Sequence, residues 1–207
     1  MSSINSCVIS RLKTHKFVSF LFGCLLFLNC HKAIAMDFEI NGDTIIMSGH
    51  VDRYDCLHLQ SLLSKNKIKT IILTKSGGGH ADSGYCMGEL IRQNGIITKI
   101  KGRCASSCSR IWLGGVTRTL DGENARVGLH GNYERTGVLR SDAPGRLRAW
   151  IPSYAPNVDR KLMEQWINLP VNKQMMYFYN DRAELCDKND CKIIPGKNVR
   201  NAGLATR

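Results

Sequence analysis

From residue 36 onward the apolar positions switch between a period of two and a period near 3.6. Asp37–Asn41 and Thr44–Ser48 read as two strands turned by Gly42-Asp43. Asp52–Ser64 carries Leu57, Leu59, Leu62 and Leu63 as a stripe, which predicts a helix. Ile68–Leu73 is rich in β-branched residues and predicts a buried strand. The loop Ser76-Gly77-Gly78-Gly79 follows. Ala81–Gln93 predicts a second helix, ended by Gly95, and Ile96–Ile100 the next strand. Gly102 to Ser107 reads as a turn, Ser107–Gly114 as a helix, and Ala125–Leu129 as a strand ending at His130.

The order is β-β-α-β-α-β-α-β, which argues for one α/β domain with a mostly parallel sheet. Residues 131–157 show no periodicity and are polar and basic; a stretch of that length usually carries function or stays flexible. Val158–Ile167, Val171–Tyr179 and Asn198–Leu204 read as helices, and Cys186–Cys191 closes a polar loop.

The first 35 residues follow a different logic. Arg11, Lys13 and Lys16 precede an apolar run from Phe17 to about Cys30, and Ala33-Ile34-Ala35 supplies an A-x-A cleavage signal. That is the pattern of a secretory signal peptide. Residues 1–35 are therefore expected to be removed, leaving 36–207 as a periplasmic or secreted domain; the alternative is an uncleaved membrane anchor. The net charge is +12, and four of these charges lie in the first 35 residues, where there is no acid, so +8 remains. A basic surface of that size is compatible with acidic partners or association with the membrane surface. No helix-turn-helix, zinc-finger or aromatic-basic pattern points to nucleic acid.

Six cysteines remain after residue 35: Cys56, Cys86, Cys104, Cys108, Cys186 and Cys191. An even number in an exported chain suggests disulfides, and six cysteines allow 15 complete pairings.

Three segments fall at strand C-termini, where ligands gather in parallel α/β sheets. The first is Gly77-Gly78-Gly79, whose backbone N–H groups could cradle negative charge or form half of an oxyanion hole. It lacks the residues of a P-loop or a dinucleotide fingerprint, and a plain tight turn would look the same. The second is Ser106, between a strand and a helix, as at a nucleophile elbow; a serine there is otherwise an ordinary N-cap. The third is His130, a base of the kind a serine hydroxyl needs, or a structural histidine.

Together these segments resemble the proteolytic subunit of the Clp protease and its exported relatives. The quoted residues are Ser76-Gly77-Gly78-Gly79, Gly102-Arg103-Cys104-Ala105-Ser106, then Gly115, Arg118 and Ala125-Arg126-Val127-Gly128-Leu129-His130. The tail Asn198-Val199-Arg200-Asn201-Ala202-Gly203-Leu204 resembles the family's C-terminal helix. The resemblance implies a single-domain ClpP/crotonase-like spiral of β-β-α units acting as a serine peptidase on peptide or protein substrates, without a cofactor or metal. It makes Ser106 the nucleophile, His130 the general base, and the N–H groups of Gly79 or Gly78 and of Ser107 the oxyanion hole. Asp190 is the first candidate for the triad acid and Asp187 the second.

The chain departs from the family at Gly77, where proline is usual, and at His80, where an apolar residue is usual. Residues 131–185 do not align, so ring assembly and an unfoldase partner do not carry over, although homo-oligomers are common on this fold. Cys104 and Cys108 flank Ser106 in the C-x-S-x-C manner of exported relatives. A bond between them would clamp the nucleophile turn; the alternative is two buried thiols. Cys186–Cys191 is a local candidate, and Cys56–Cys86 is the pair left over.

Two other readings compete: a non-catalytic ClpP-like binding or scaffold protein, and a thiol-redox or metal protein. Against the last, C-x₃-C is not the C-x-x-C redox spacing, and no second Cys/His pair completes a zinc site.

Overall fold

The computed structural model describes residues 35–206. The expected export segment, apart from Ala35, lies outside them. The described residues form β1 (Asp37–Asn41), β2 (Thr44–Val51), α1 (Asp55–Lys65), β3 (Thr70–Gly79), α2 (Ala81–Gln93), β4 (Ile97–Ala105), α3 (Ser107–Leu113), β5 (Arg118–Leu120), β6 (Arg126–Leu129), α4 (Ala143–Tyr154), α5 (Arg160–Ile167), β7 (Gln174–Phe178), β8 (Ala183–Asp187) and β9 (Asp190–Ile193). One sheet runs β1-β2-β3-β4-β6-β7-β8-β9, with β5 also paired to β4. β2, β3, β4 and β6 are mutually parallel where they meet; β1 and β7–β9 are antiparallel additions at the two sides.

The period-two pattern explains the sheet. Ile45 and Met47 of β2 and Ile71 and Leu73 of β3 are fully buried, while their neighbours along each strand are half-buried. Helix α3 lies against α2 across small residues one turn apart. A Cβ at Gly84 would lie 2.6 Å from the Ser107 carbonyl oxygen, and one at Gly88 would lie 2.6 Å from that of Arg110. Any side chain there would push α3, and the turn that opens it, out of place. The other end of α3 is held by arginines. Arg92 donates to the Leu113 and Gly114 carbonyls at 3.0 and 2.9 Å, and Arg118 donates to that of Gly115 at 2.8 Å. These bonds satisfy carbonyls that a helix end leaves without partners. Burial, with Arg92 nearby, pulls the Arg118 guanidinium down to about 10.

Cysteine pairs join Cys56 to Cys86, Cys104 to Cys108 and Cys186 to Cys191. The first links α1 to α2, the second spans the turn between β4 and α3, and the third crosses the β8–β9 hairpin.

The second half of the chain departs from its sequence pattern. Val171–Tyr179 reads as a helix, yet Gln174–Phe178 is a strand, because pairing with β6 buries Met176 and Phe178 on alternate positions. Tertiary burial outweighs the helical preference of Gln and Met here. The loop expected between Cys186 and Cys191 is the tip of a β-hairpin, with Asp187 paired to Asp190. Asn198–Leu204 is a run of turns, with Val199, Ala202 and Leu204 buried. Within 131–157 the chain forms α4, a helix whose Pro144 sits in its first turn, where a missing N–H costs nothing. Ahead of it, Tyr133 bridges to Leu139 and Val138 to Val171.

Candidate functional site

Because β2, β3, β4 and β6 are parallel, their C-terminal ends share one sheet edge. That edge opens into a cleft of about 790 Å³ lined by His50, Gly78, His80, Ser106, His130 and Tyr133, among others. The glycine loop is not a free loop: Gly77, Gly78 and Gly79 are the last residues of β3.

Ser106 stands where β4 gives way to α3, with φ 57° and ψ −127°. A non-glycine residue holds such a conformation at a cost of about 1–3 kcal/mol, supplied by the surrounding structure. Several contacts pin it. The Ser106 N–H donates to the Gly128 carbonyl at 3.0 Å, and the Ser109 N–H and hydroxyl donate to the Ser106 carbonyl at 2.9 and 2.6 Å. Cys104 and Cys108, both fully buried, close a ring around the turn. Gly78 presses on it from the side: with φ +90°, a Cβ there would lie 2.6 Å from Ser106 Cβ and 2.8 Å from the Ser107 nitrogen. Its own N–H reaches Ser76 Oγ at 3.2 Å. A Cβ at Gly79 would instead meet the Val51 carbonyl oxygen and the His50 ring.

His130 follows β6, whose Gly128 pairs with Ala105. By that register it lies one strand over from Ser106 and about one residue further along. The imidazole is 7% exposed, and among the described residues neither ring nitrogen has a hydrogen-bond partner, Ser106 included. Burial, then the positive charge of Arg110, push its pKa down to about 3, against the opposing effect of the Gln174 backbone. The ring is neutral over the physiological range. Tyr133 packs against it with ring centroids 4.7 Å apart and donates its hydroxyl to the Leu169 carbonyl at 3.0 Å. Burial raises the Tyr133 phenol to about 12, so it stays protonated.

The structure does not bring Asp190 to this pair. β9 is separated from β6 by β7 and β8, and three strand spacings amount to roughly 14 Å. Asp190 is exposed in its hairpin, as is Asp187, which accepts from the Gln174 side-chain amide at 3.1 Å. Asp190 sits in a tight β8–β9 hairpin, and Asp187 lies on β8, two strands over from β6.

Three further residues belong to the site. His50 is the last residue but one of β2, much as His130 directly follows β6, and the strand-end rule applied to β2 points to it. His80, where the family usually has an apolar residue, lines the cleft and is the N-cap of α2: its Nδ1 accepts the Ser83 N–H at 3.3 Å. Arg110 is buried in α3 beside His130. Its distance of four residues from Ser106, one helical turn, was the available clue. The cleft rim carries exposed ion pairs, Asp82 with Arg146 at 2.5 Å and Asp142 with Arg140 at 2.9 Å. The arginines hold both carboxyls below their usual range. Among the described residues the one close group of metal-type ligands is Glu184, Cys186 and Cys191, and its two thiols are spent on a disulfide.

No protein-family model and no curated protein matches the chain. Among solved structures, ClpP1 from Listeria monocytogenes is similar with a TM-score of 0.51 at 15% identity, over 79% of this chain and 88% of that one. A mutant of the 1510-N membrane-bound stomatin-specific protease gives a TM-score of 0.48 at 14% identity, over 81% of this chain and 80% of that one. An enoyl-CoA hydratase-type protein from Streptomyces coelicolor A3(2) gives 0.46 at 14% identity, over 83% and 65%. At such identities the likeness is one of fold, and the ClpP1 match carries it. The described residues have the single-domain α/β fold of ClpP1.

Proposed function

We propose that this chain is an exported serine hydrolase acting on peptide or protein substrates, with Ser106 as its nucleophile. The observation that carries the reading is the left-handed backbone of Ser106 at a strand-to-helix turn, held by Gly78 on one side and facing the cleft that also contains His130. Such strain in a non-glycine residue at a cleft is a recurring mark of functional positions. In this reading the Ser106 hydroxyl attacks a substrate carbonyl and its proton passes to His130. The resulting oxyanion takes hydrogen bonds from the N–H groups of Ser107 and Gly79, or of Gly78 if it leaves Ser76. His130 then returns the proton to the leaving group, and water releases the acyl group by the reverse path. Three disulfides and the A-x-A signal support export into an oxidising compartment, with residues 1–35 as the signal peptide. Among the described residues no helix is long and apolar enough to cross a membrane.

A second reading is favoured by one observation. His130 is a weak base beside a buried cation, without a carboxylate, and general bases work best with a pKa near the working pH. A peptide-binding protein that keeps the fold without turnover would tolerate this. Hydrolysis of a mixed peptide and ester panel by the wild type and by Ser106→Ala separates the two. Turnover lost in Ser106→Ala supports the hydrolase; no turnover in either protein, with peptide binding retained in both, supports the binding protein.

A further inference from the structure

Arg110 is 2% exposed and forms no ion pair among the described residues. Leaving a guanidinium in the interior without a carboxylate is costly before its hydrogen bonds are counted. A methionine or leucine would fill the same volume without that cost. The bonds Arg110 does make all converge on one place. Its Nη2 donates to Asn132 Oδ1 at 2.5 Å and reaches the His130 carbonyl at 3.5 Å. Asn132 in turn donates to the Tyr85 hydroxyl at 3.2 Å, and the guanidinium lies 5.1 Å from the centre of the Tyr85 ring. The triangle ties three elements together: α3, which opens at Ser106; the segment after β6, which begins with His130; and α2, which carries Tyr85.

We infer that Arg110 is a positioning residue for the site, holding the His130–Asn132 segment in fixed register with the Ser106 turn from one helical turn away. The inference rests on the reading of Ser106 and His130 as the working pair. A rigid, planar guanidinium whose Nη2 alone spans a side-chain amide oxygen and a main-chain carbonyl suits this task. An ammonium on a flexible stem presents its donors without that fixed geometry. The arrangement also accounts for a cation beside the base: the contact that places His130 brings the charge with it.

The test uses the oxidised, full-length mature protein, with Arg110→Lys and Arg110→Met beside the wild type. Two readouts are taken: the labelling rate by a fluorophosphonate, and amide hydrogen exchange across residues 130–134. If Arg110 positions the segment, labelling falls at least tenfold in both variants, in the maximal rate rather than in probe affinity. Exchange at 130–134 rises at least tenfold, while exchange in β1 and β2 stays as in the wild type. If the arginine acts only as a charge that weakens the base, Arg110→Met labels faster than the wild type and Arg110→Lys labels like it, and the inference is overturned. A wild type that does not label sinks the hydrolase reading, and the positioning role is then decided by exchange alone: unchanged protection at 130–134 in Arg110→Met overturns it. Should Arg110→Met fail to fold, Asn132→Leu removes the accepting oxygen and is judged by the same readouts.

Discussion

Gly78 and Ser106 occupy one space: the side chain that Gly78 lacks would lie 2.6 Å from the Cβ of Ser106. The glycine strand end and the Ser106 turn are therefore built as a matched pair, and only a residue without Cβ at φ +90° lets them meet. Gly78→Ala is expected to displace the turn and lower fluorophosphonate labelling about a hundredfold, the order seen when one oxyanion donor is lost. Gly77→Ala is the comparison. Its Cβ would meet only the far end of the Arg103 side chain, at 3.3 Å, and labelling should stay within a few-fold of the wild type. Equal losses in the two variants would contradict the pairing of Gly78 with Ser106.

His130 gives the site a pH signature. Its folded-state pKa is about 3, below the unfolded value of about 6.5. Between those values the unfolded chain binds a proton that the folded chain does not. The stability held by the neutral buried ring is therefore complete above pH ~6.5 and is lost as pH falls towards ~3, at up to about 1.4 kcal/mol per pH unit. Urea melts from pH 7 to pH 4 should show this slope, and His130→Gln should show it reduced by about one proton. Labelling that depends on neutral His130 should hold its plateau well below pH 6, where an ordinary histidine would have lost it.

The disulfides should separate stability from activity. Cys56–Cys86 spans 30 residues between two helices, a loop whose closure is worth about 3.5 kcal/mol in the chain-entropy model. Cys104–Cys108 spans 4 residues and is worth about 2 kcal/mol by the same rule. Replacing Cys56 and Cys86 by alanine should lower the melting temperature by roughly 10 °C and leave labelling of the folded protein near the wild-type level. Replacing Cys104 and Cys108 should cost less stability and at least tenfold in labelling, because that ring encloses Ser106. The reverse order of effects would contradict the clamp.

The position of Asp190 predicts silence. With the carboxylate exposed in the β8–β9 hairpin and three strands from β6, Asp190→Asn should change labelling by less than twofold. A loss of tenfold or more would mean that the hairpin reaches the site during the reaction.

The first half of the chain was legible because its local signals agreed with its tertiary role. Ile71 and Leu73 declare a buried strand, Gly42 a tight turn, and Ser106 and His130 the ends of parallel strands. The second half hid its structure where neighbours decide it. Met176 and Phe178 are strand residues only because β6 lies beside them, and Val199, Ala202 and Leu204 are buried by packing that no short period announces. At the site, the glycines, the serine and the histidine were visible as types at strand ends. The acid was not: only the family resemblance points to Asp190, and the hairpin that carries it away depends on long-range pairing. Arg110 was invisible for the same reason, since its meaning lies in Asn132 and Tyr85 rather than in its neighbours in sequence.

Covalent labelling of the oxidised protein by a fluorophosphonate, read by intact mass and peptide mapping, tests most directly whether Ser106 is an activated nucleophile. The expected result is a single adduct on Ser106 that is absent from Ser106→Ala and much slower in His130→Ala. A folded, fully oxidised wild type that gains no adduct, or gains it equally in Ser106→Ala, would contradict the claim.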